Sequence, residues 1–98
     1  MKRSFPIDYF LTRAADDSRL LPSHLSLFMA VFYFCPAEDL KGRFRVCRRK
    51  LMRYSRIHSV STYHKCMREL VAYGYITYQP SYDPFRASLV SFVHVHHE

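Results

Sequence analysis

Apolar residues recur at helical spacing in two places in the first third of the chain. Ile7, Phe10 and Leu11 give a stripe within residues 4–13, with Ser4 as a candidate cap and Pro6 in the first turn. The polar run at 14–19 then leads to a second helix expected to start near Pro22 and Ser23. Leu25, Phe28, Met29, Phe32 and Cys35 supply its stripe, and Pro36 ends it. Leu27, Val31, Tyr33 and Phe34 make this helix apolar on more than one face, so it is expected to be either central to the core or half of a dimer contact.

After a loop at 37–42, Arg43-Phe44-Arg45-Val46 alternates polar and apolar, as a short strand does. Residues 48–54 read as a short helix with Leu51 and Met52 inward, and residues 55–58 as a turn. A longer helix is expected over 59–73, stopped by Gly74. Residues 75–78 and 88–95 are rich in β-formers and flank the turn chemistry of Pro80-Ser81-Tyr82-Asp83-Pro84, which predicts a hairpin. There is no internal repeat, low-complexity tract or linker. The predicted order is helix, helix, short strand, helix, helix, strand, loop, strand, which is the element order of a winged helix: an α+β (mainly α) chain of about four helices with a short strand and a C-terminal β-hairpin wing.

The 59–73 helix has two unlike faces. With Tyr63 at zero and about 100° per residue, Val60, Cys66, Met67, Leu70, Val71 and Tyr73 fall within about 80° of it. Ser61, Thr62, His64, Lys65, Arg68, Glu69 and Ala72 occupy the opposite arc. Short hydroxyls near the helix start with His, Lys and Arg further along are the residue types a DNA major groove accommodates.

Charge sharpens this picture. The 98 residues carry 15 Lys and Arg against 8 Asp and Glu, a formal charge of +7. Ten of the fifteen cations lie in residues 41–68, a stretch of 28 with no acid. Such a block is a polyanion footprint, and charge alone does not separate nucleic acid from anionic lipid. The short helix opens on Arg48, Arg49 and Lys50, three cations at the positive end of a helix dipole. Each costs about a few tenths of a kcal/mol there, a local rule broken where a phosphate partner would offset it. Arg49, Lys50 and Arg53 share the side away from Leu51 and Met52, and Arg56 follows in the turn. Gln79, Ser81, Tyr82 and Arg86 sit around the hairpin tip, where a wing would cross the backbone or probe the minor groove.

Arg48-x-x-Leu51, Ser59-x-x-Thr62-Tyr63-x-Lys65-x-Met67-x-x-Leu70 and Gly74-Tyr75-Ile76 resemble the helix-turn-helix and first wing strand of bacterial winged-helix regulators. The run at 62–70 with Gly74-Tyr75-Ile76 and Pro80-Ser81-Tyr82-Asp83-Pro84 more closely resembles small uncharacterised bacterial winged-helix proteins linked to mobile genetic elements. The resemblance implies that the 59–73 helix is the recognition helix and that residues 80–87 form the wing. The cationic first turn, with Cys47 at its cap, departs from the family pattern.

Other chemistry is thinly represented. With 49% hydrophobic residues the chain can fill a core, and the longest apolar stretch, eleven residues at 25–35, is too short to span a bilayer. The basic start runs into Ile7-Asp8-Tyr9 rather than a signal-peptide core, so a cytoplasmic protein without a membrane partner is expected. Cys35, Cys47 and Cys66 form no C-x-x-C pair; Cys66 is expected in the core, and Cys47 alone has basic neighbours that could lower its pKa. His94, His96, His97 and Glu98 read as a frayed polar tail that could hold an adventitious metal, and no resident metal or cofactor is expected. His24 and His58, near helix starts, call for no special role. No nucleophile elbow, phosphate-cradling Gly loop or zinc-protease motif is present, so an enzyme is not expected.

Together these features predict one winged-helix domain over residues 1–98, with its helix-turn-helix at about 48–73 and its wing hairpin at about 75–95. It is expected to bind double-stranded DNA sequence-specifically, as a transcriptional regulator or a mobile-element accessory factor. Ser61, Thr62, His64, Lys65 and Arg68 would face bases or flanking phosphates. Arg49, Lys50, Arg53 and Arg56 would grip the backbone, and Gln79, Ser81, Tyr82 and Arg86 would act from the wing. The alternatives are a protein-interaction winged helix docking through its aromatic segments, and RNA binding with Tyr75, Tyr78 and Tyr82 stacking bases. A homodimer through the N-terminal helices is compatible with the apolar second helix.

Overall fold

The computed structural model describes residues 7–36, 42–81 and 87–93. Four helices and three strands follow one another as α1 (Ile7–Ala15), α2 (Pro22–Phe34), β1 (Phe44–Val46), α3 (Arg48–Ser55), α4 (Val60–Ala72), β2 (Ile76–Gln79) and β3 (Ser88–Phe92). Ser4 and Pro6, expected at the start of α1, lie outside the described residues. Helix α2 begins on Pro22 and stops one residue before Cys35, as the proline at each end dictates.

The three strands form one antiparallel sheet in the order β1-β3-β2. Register sets Phe44 opposite Val90 on one side of β3, and Ile76 opposite Phe92 on the other. The strand period of two therefore turns Phe44, Val46, Ile76, Val90 and Phe92 into the core, while Arg45 and Thr77 face out. The expected strand at 88–95 is shorter than its β-rich composition implies; the ladder runs to Phe92, and His94 to Glu98 lie outside the described residues. This mainly helical α+β arrangement, with a hairpin packed behind a helix-turn-helix, is winged-helix-like.

The helices pack against that sheet through aromatic rings. Phe10 of α1 stacks flat on Phe28 of α2 at 3.7 Å between centroids, and Tyr75 meets Phe10 edge-on at 5.2 Å. Phe92 of β3 touches both Phe28 and Phe44, so one cluster joins α1, α2, β1 and β3. Leu27, Val31, Leu51, Tyr63, Met67 and Leu70 complete the core between the helices.

Two expectations about helix faces need correction. In α2 the buried residues are His24, Leu27, Phe28, Ala30 and Val31, whereas Leu25 and Met29 from the expected stripe are exposed. A helix apolar nearly all round has several equivalent stripes, and the packing against α3 and α4 selects among them. In α4, Tyr63, Cys66, Met67 and Leu70 are buried as expected, but Val60 and Val71 at the edges of that arc are exposed.

Helix α1 and its connection are fastened to the end of α4 by polar side chains. Arg13 donates to the carbonyls of Tyr73 and Gly74, both at 3.0 Å, and its guanidinium lies 4.1 Å from the Tyr75 ring centroid. Asp17 accepts from the Tyr75 hydroxyl at 2.8 Å and from Arg19 at 2.7 Å, while Arg19 covers the Tyr73 ring. Arg19 above all, then Tyr75, holds the Asp17 carboxyl well below the usual carboxylate range. Burial, helped by Asp17, pushes the Tyr75 phenol up to about 12. Among the described residues no helix is long and apolar enough to cross a membrane.

Candidate nucleic-acid interface

Helices α3 and α4 are held in a fixed relation by how each begins and ends. Helix α4 starts on Ser59, whose hydroxyl accepts the Thr62 backbone N–H at 3.2 Å. It ends in a Schellman motif: Gly74 N–H reaches the Val71 carbonyl and Tyr75 N–H the Leu70 carbonyl, each at 3.0 Å, with Gly74 at φ 86°. Helix α3 ends the same way. Ile57 N–H donates to the Met52 carbonyl at 3.1 Å, and Arg56 takes the left-handed position at φ 64°. An arginine there carries a strain that glycine avoids.

The start of α3 is as the sequence indicates. Cys47 stands at the cap in extended conformation, and Arg48, Arg49 and Lys50 follow, all exposed. The thiol makes no formed capping bond, but the nearby N–H of Lys50, then that of Arg49, hold it below the usual thiol range against the effect of partial burial. Cys66 is buried, with its thiol on the Ser23 hydroxyl at 3.3 Å, which agrees with its expected place in the core.

Four of the expected site residues on α4 are exposed: Ser61, Thr62, Lys65 and Arg68. His64 is half-buried, its ring edge-on to Tyr63 at 5.3 Å. Glu69, assigned by periodicity to the same outer arc, is instead turned toward α2, where its carboxylate accepts from His24 at 2.8 Å. On the other side of its ring, His24 Nδ1 accepts the Leu21 backbone N–H at 2.8 Å, which leaves the ring proton on Nε2 for Glu69. Glu69 is the one acid between Asp39 and Asp83, so this buried histidine keeps the single negative charge of the region on the α2 side of α4. No periodic signal marks His24, because a polar residue in a first helical turn usually faces water.

Beside α4 lies a cleft of about 290 Å³. Arg48, Arg49, Arg53 and His58 surround it, above Met52, Ile57 and Val60. Of the four expected backbone-gripping cations, Arg49 and Arg53 come together here, while Lys50 and Arg56 are exposed elsewhere on α3 and its turn. Arg48 and His58 are added to the set; their signal in the sequence is membership of the acid-free block and of the interhelical turn. Three guanidiniums without a carboxylate can take a phosphate or another oxyanion, and the apolar floor can take the carbon skeleton attached to it.

The wing is partly described. Gln79 accepts from Arg43 at 3.2 Å, which ties the hairpin to the residue before β1, and Ser81 N–H donates to the Ser88 hydroxyl at 3.2 Å at the base of the loop. Tyr82 and Arg86 lie outside the described residues. Of the tyrosines considered for stacking RNA bases, Tyr75 is buried in the core, and Tyr78 is half-buried with its hydroxyl donating to Ser88. Among the described residues no group of three His, Cys, Asp or Glu side chains could hold a metal ion. Comparison of the chain with known protein families, curated proteins and solved structures finds no match.

Proposed function

We propose that this chain is a cytoplasmic module that binds double-stranded DNA through α3, α4 and the wing, in the service of transcriptional regulation or of a mobile element. One observation carries the reading. The exposed faces of α3 and α4 join an acid-free field of cations, and two local stability rules are broken inside it, by the cationic first turn of α3 and by Arg56 at a glycine position. Phosphate is the ligand that offsets both. In this reading the Arg48, Arg49, Arg53 and His58 cleft takes a backbone phosphate, with the sugar edge over Met52 and Ile57. Ser61, Thr62, His64, Lys65 and Arg68 read the groove, and residues of the wing contact the flanking backbone.

Titration of duplex binding against salt tests this directly. With about six phosphates neutralised, log K falls with log salt at a slope of about −5. Arg49→Ala weakens all duplexes alike and makes the slope shallower by about one, whereas Arg68→Ala relaxes sequence preference. Binding that ignores salt, or an equal loss on specific and random duplex for both variants, overturns the proposal. Single-stranded RNA that outcompetes duplex DNA would move the reading to RNA.

A further inference from the structure

The arginines outside and inside the cleft beside α4 are differently employed. Arg13, Arg19 and Arg43 are bonded to protein acceptors, namely the carbonyls at the end of α4, Asp17 and Gln79. Arg48, Arg49 and Arg53 have no hydrogen-bond acceptor among the described residues, yet all three line the one cleft of about 290 Å³. His58 stands beside them, and Met52, Ile57 and Val60 give the cleft its apolar side. Helix α4 begins there on Val60, so the positive end of its dipole adds to the field. No carboxylate lines the space. Like charges gathered round one opening repel, and an anion seated among them relieves that repulsion.

The number of forks indicates which anion. A phosphodiester within a strand carries one negative charge and two unesterified oxygens. A phosphate monoester carries about −1.5 to −2 near neutral pH and has three terminal oxygens. Each guanidinium is a planar fork that pairs two oxygens at once, so three forks find a full set of partners on a monoester and not on a diester. The cleft is also larger than a phosphate group fills, and its volume is near the small end of sites that take organic ligands. The space left over is bounded by an apolar side and by guanidinium planes, both surfaces on which the flat face of a nucleobase packs. We propose that the cleft is a site for a 5′-nucleotide held by its terminal phosphate monoester, either free or at the end of a DNA strand. This rests on the reading of the cleft as a phosphate site and narrows it to the terminal phosphate.

The test is calorimetric titration of the full chain, without DNA, by deoxyadenosine 5′-monophosphate. Three ligands serve for comparison. The 3′,5′-cyclic form keeps base and sugar but is a diester, ribose 5-phosphate lacks the base, and inorganic phosphate lacks both base and sugar. The 5′-monophosphate is expected to bind about tenfold tighter than each of them. Arg53→Ala is expected to lose that preference. Val60→Glu is expected to abolish binding at an unchanged melting temperature, because an acid is favourable in the first turn of α4. A nucleotide bound no tighter than any one of the three comparison ligands overturns the proposal, and so does a preference that survives Arg53→Ala. Gel shifts of one blunt duplex with and without 5′-phosphates then separate the two sources. Tighter binding of the phosphorylated duplex, lost in Val60→Glu, assigns the strand end; equal binding of the two assigns the free nucleotide. If no duplex binds while the nucleotide titration is as expected, the DNA reading fails and the nucleotide site stands.

Discussion

Helices α3 and α4 close with the same hydrogen-bond pattern, but one uses Gly74 and the other Arg56 at the left-handed position. Exchanging the arginine for glycine separates stability from binding. Removing a Cβ from the left-handed region gains about 1–2 kcal/mol, and the added freedom of the unfolded chain returns about half of that. Arg56→Gly is therefore expected to raise the melting temperature by about 4 °C while weakening duplex binding and flattening its salt dependence. A variant that loses stability would show that Arg56 serves the fold, and one that gains it with undiminished binding would show that Arg56 has no part in the site. His24 behaves oppositely. It is buried, with both ring nitrogens engaged, so His24→Leu leaves the Leu21 N–H and the Glu69 carboxylate without their partner. A loss of about 1–3 kcal/mol in urea unfolding is expected, with Glu69→Gln milder because the amide oxygen still accepts.

At the scale of elements, the connection between α1 and α2 carries a pH dependence. The Asp17 carboxyl is held below its ordinary value of 3.8, so the unfolded chain binds the proton more readily than the folded one. Its contribution is complete above that ordinary value and is lost as pH falls toward the depressed folded value. Asp17→Asn is accordingly expected to be less stable than the wild type near neutral pH, with the gap closing in strong acid. A gap that is the same at pH 6 and pH 2 would refute the assignment. Tyr75, raised to about 12 from an ordinary 10.0, has the opposite sense: its contribution is present below 10.0 and fades as pH rises through about 12.

Element boundaries were largely legible in the sequence because their punctuation is chemical. Pro22, Pro36, Ser59 and Gly74 mark ends that the structure places within a residue or two of expectation. What periodicity could not supply was the choice of face where apolar residues surround a helix, as in α2. Nor could it supply pairings between residues far apart in sequence. His24 with Glu69, Arg13 with the end of α4, and Asp17 with Tyr75 are all tertiary, and each residue alone reads as ordinary surface. The candidate site was legible as a basic block. The cleft uniting Arg48 and His58 with Arg49 and Arg53 was not, since it depends on how the turn folds back beside α3.

At the scale of the whole molecule, charge and apolar surface are divided between faces. The cations of residues 42–68 lie on β1, α3, α4 and their connections, and the exposed apolar residues Leu25, Met29 and Tyr33 lie on α2. The sheet adds a consequence that concerns time rather than space. Its middle strand is β3, the last of the three in sequence, and β1 and β2 touch it but not each other. During synthesis the chain therefore presents its entire basic block before the strand that aligns β1 with the hairpin exists. A nascent chain of this kind has the charge to adhere to any polyanion and lacks the geometry to choose among them. Under the DNA-binding reading proposed above, discrimination among duplexes is the last property it acquires, once β3 is inserted.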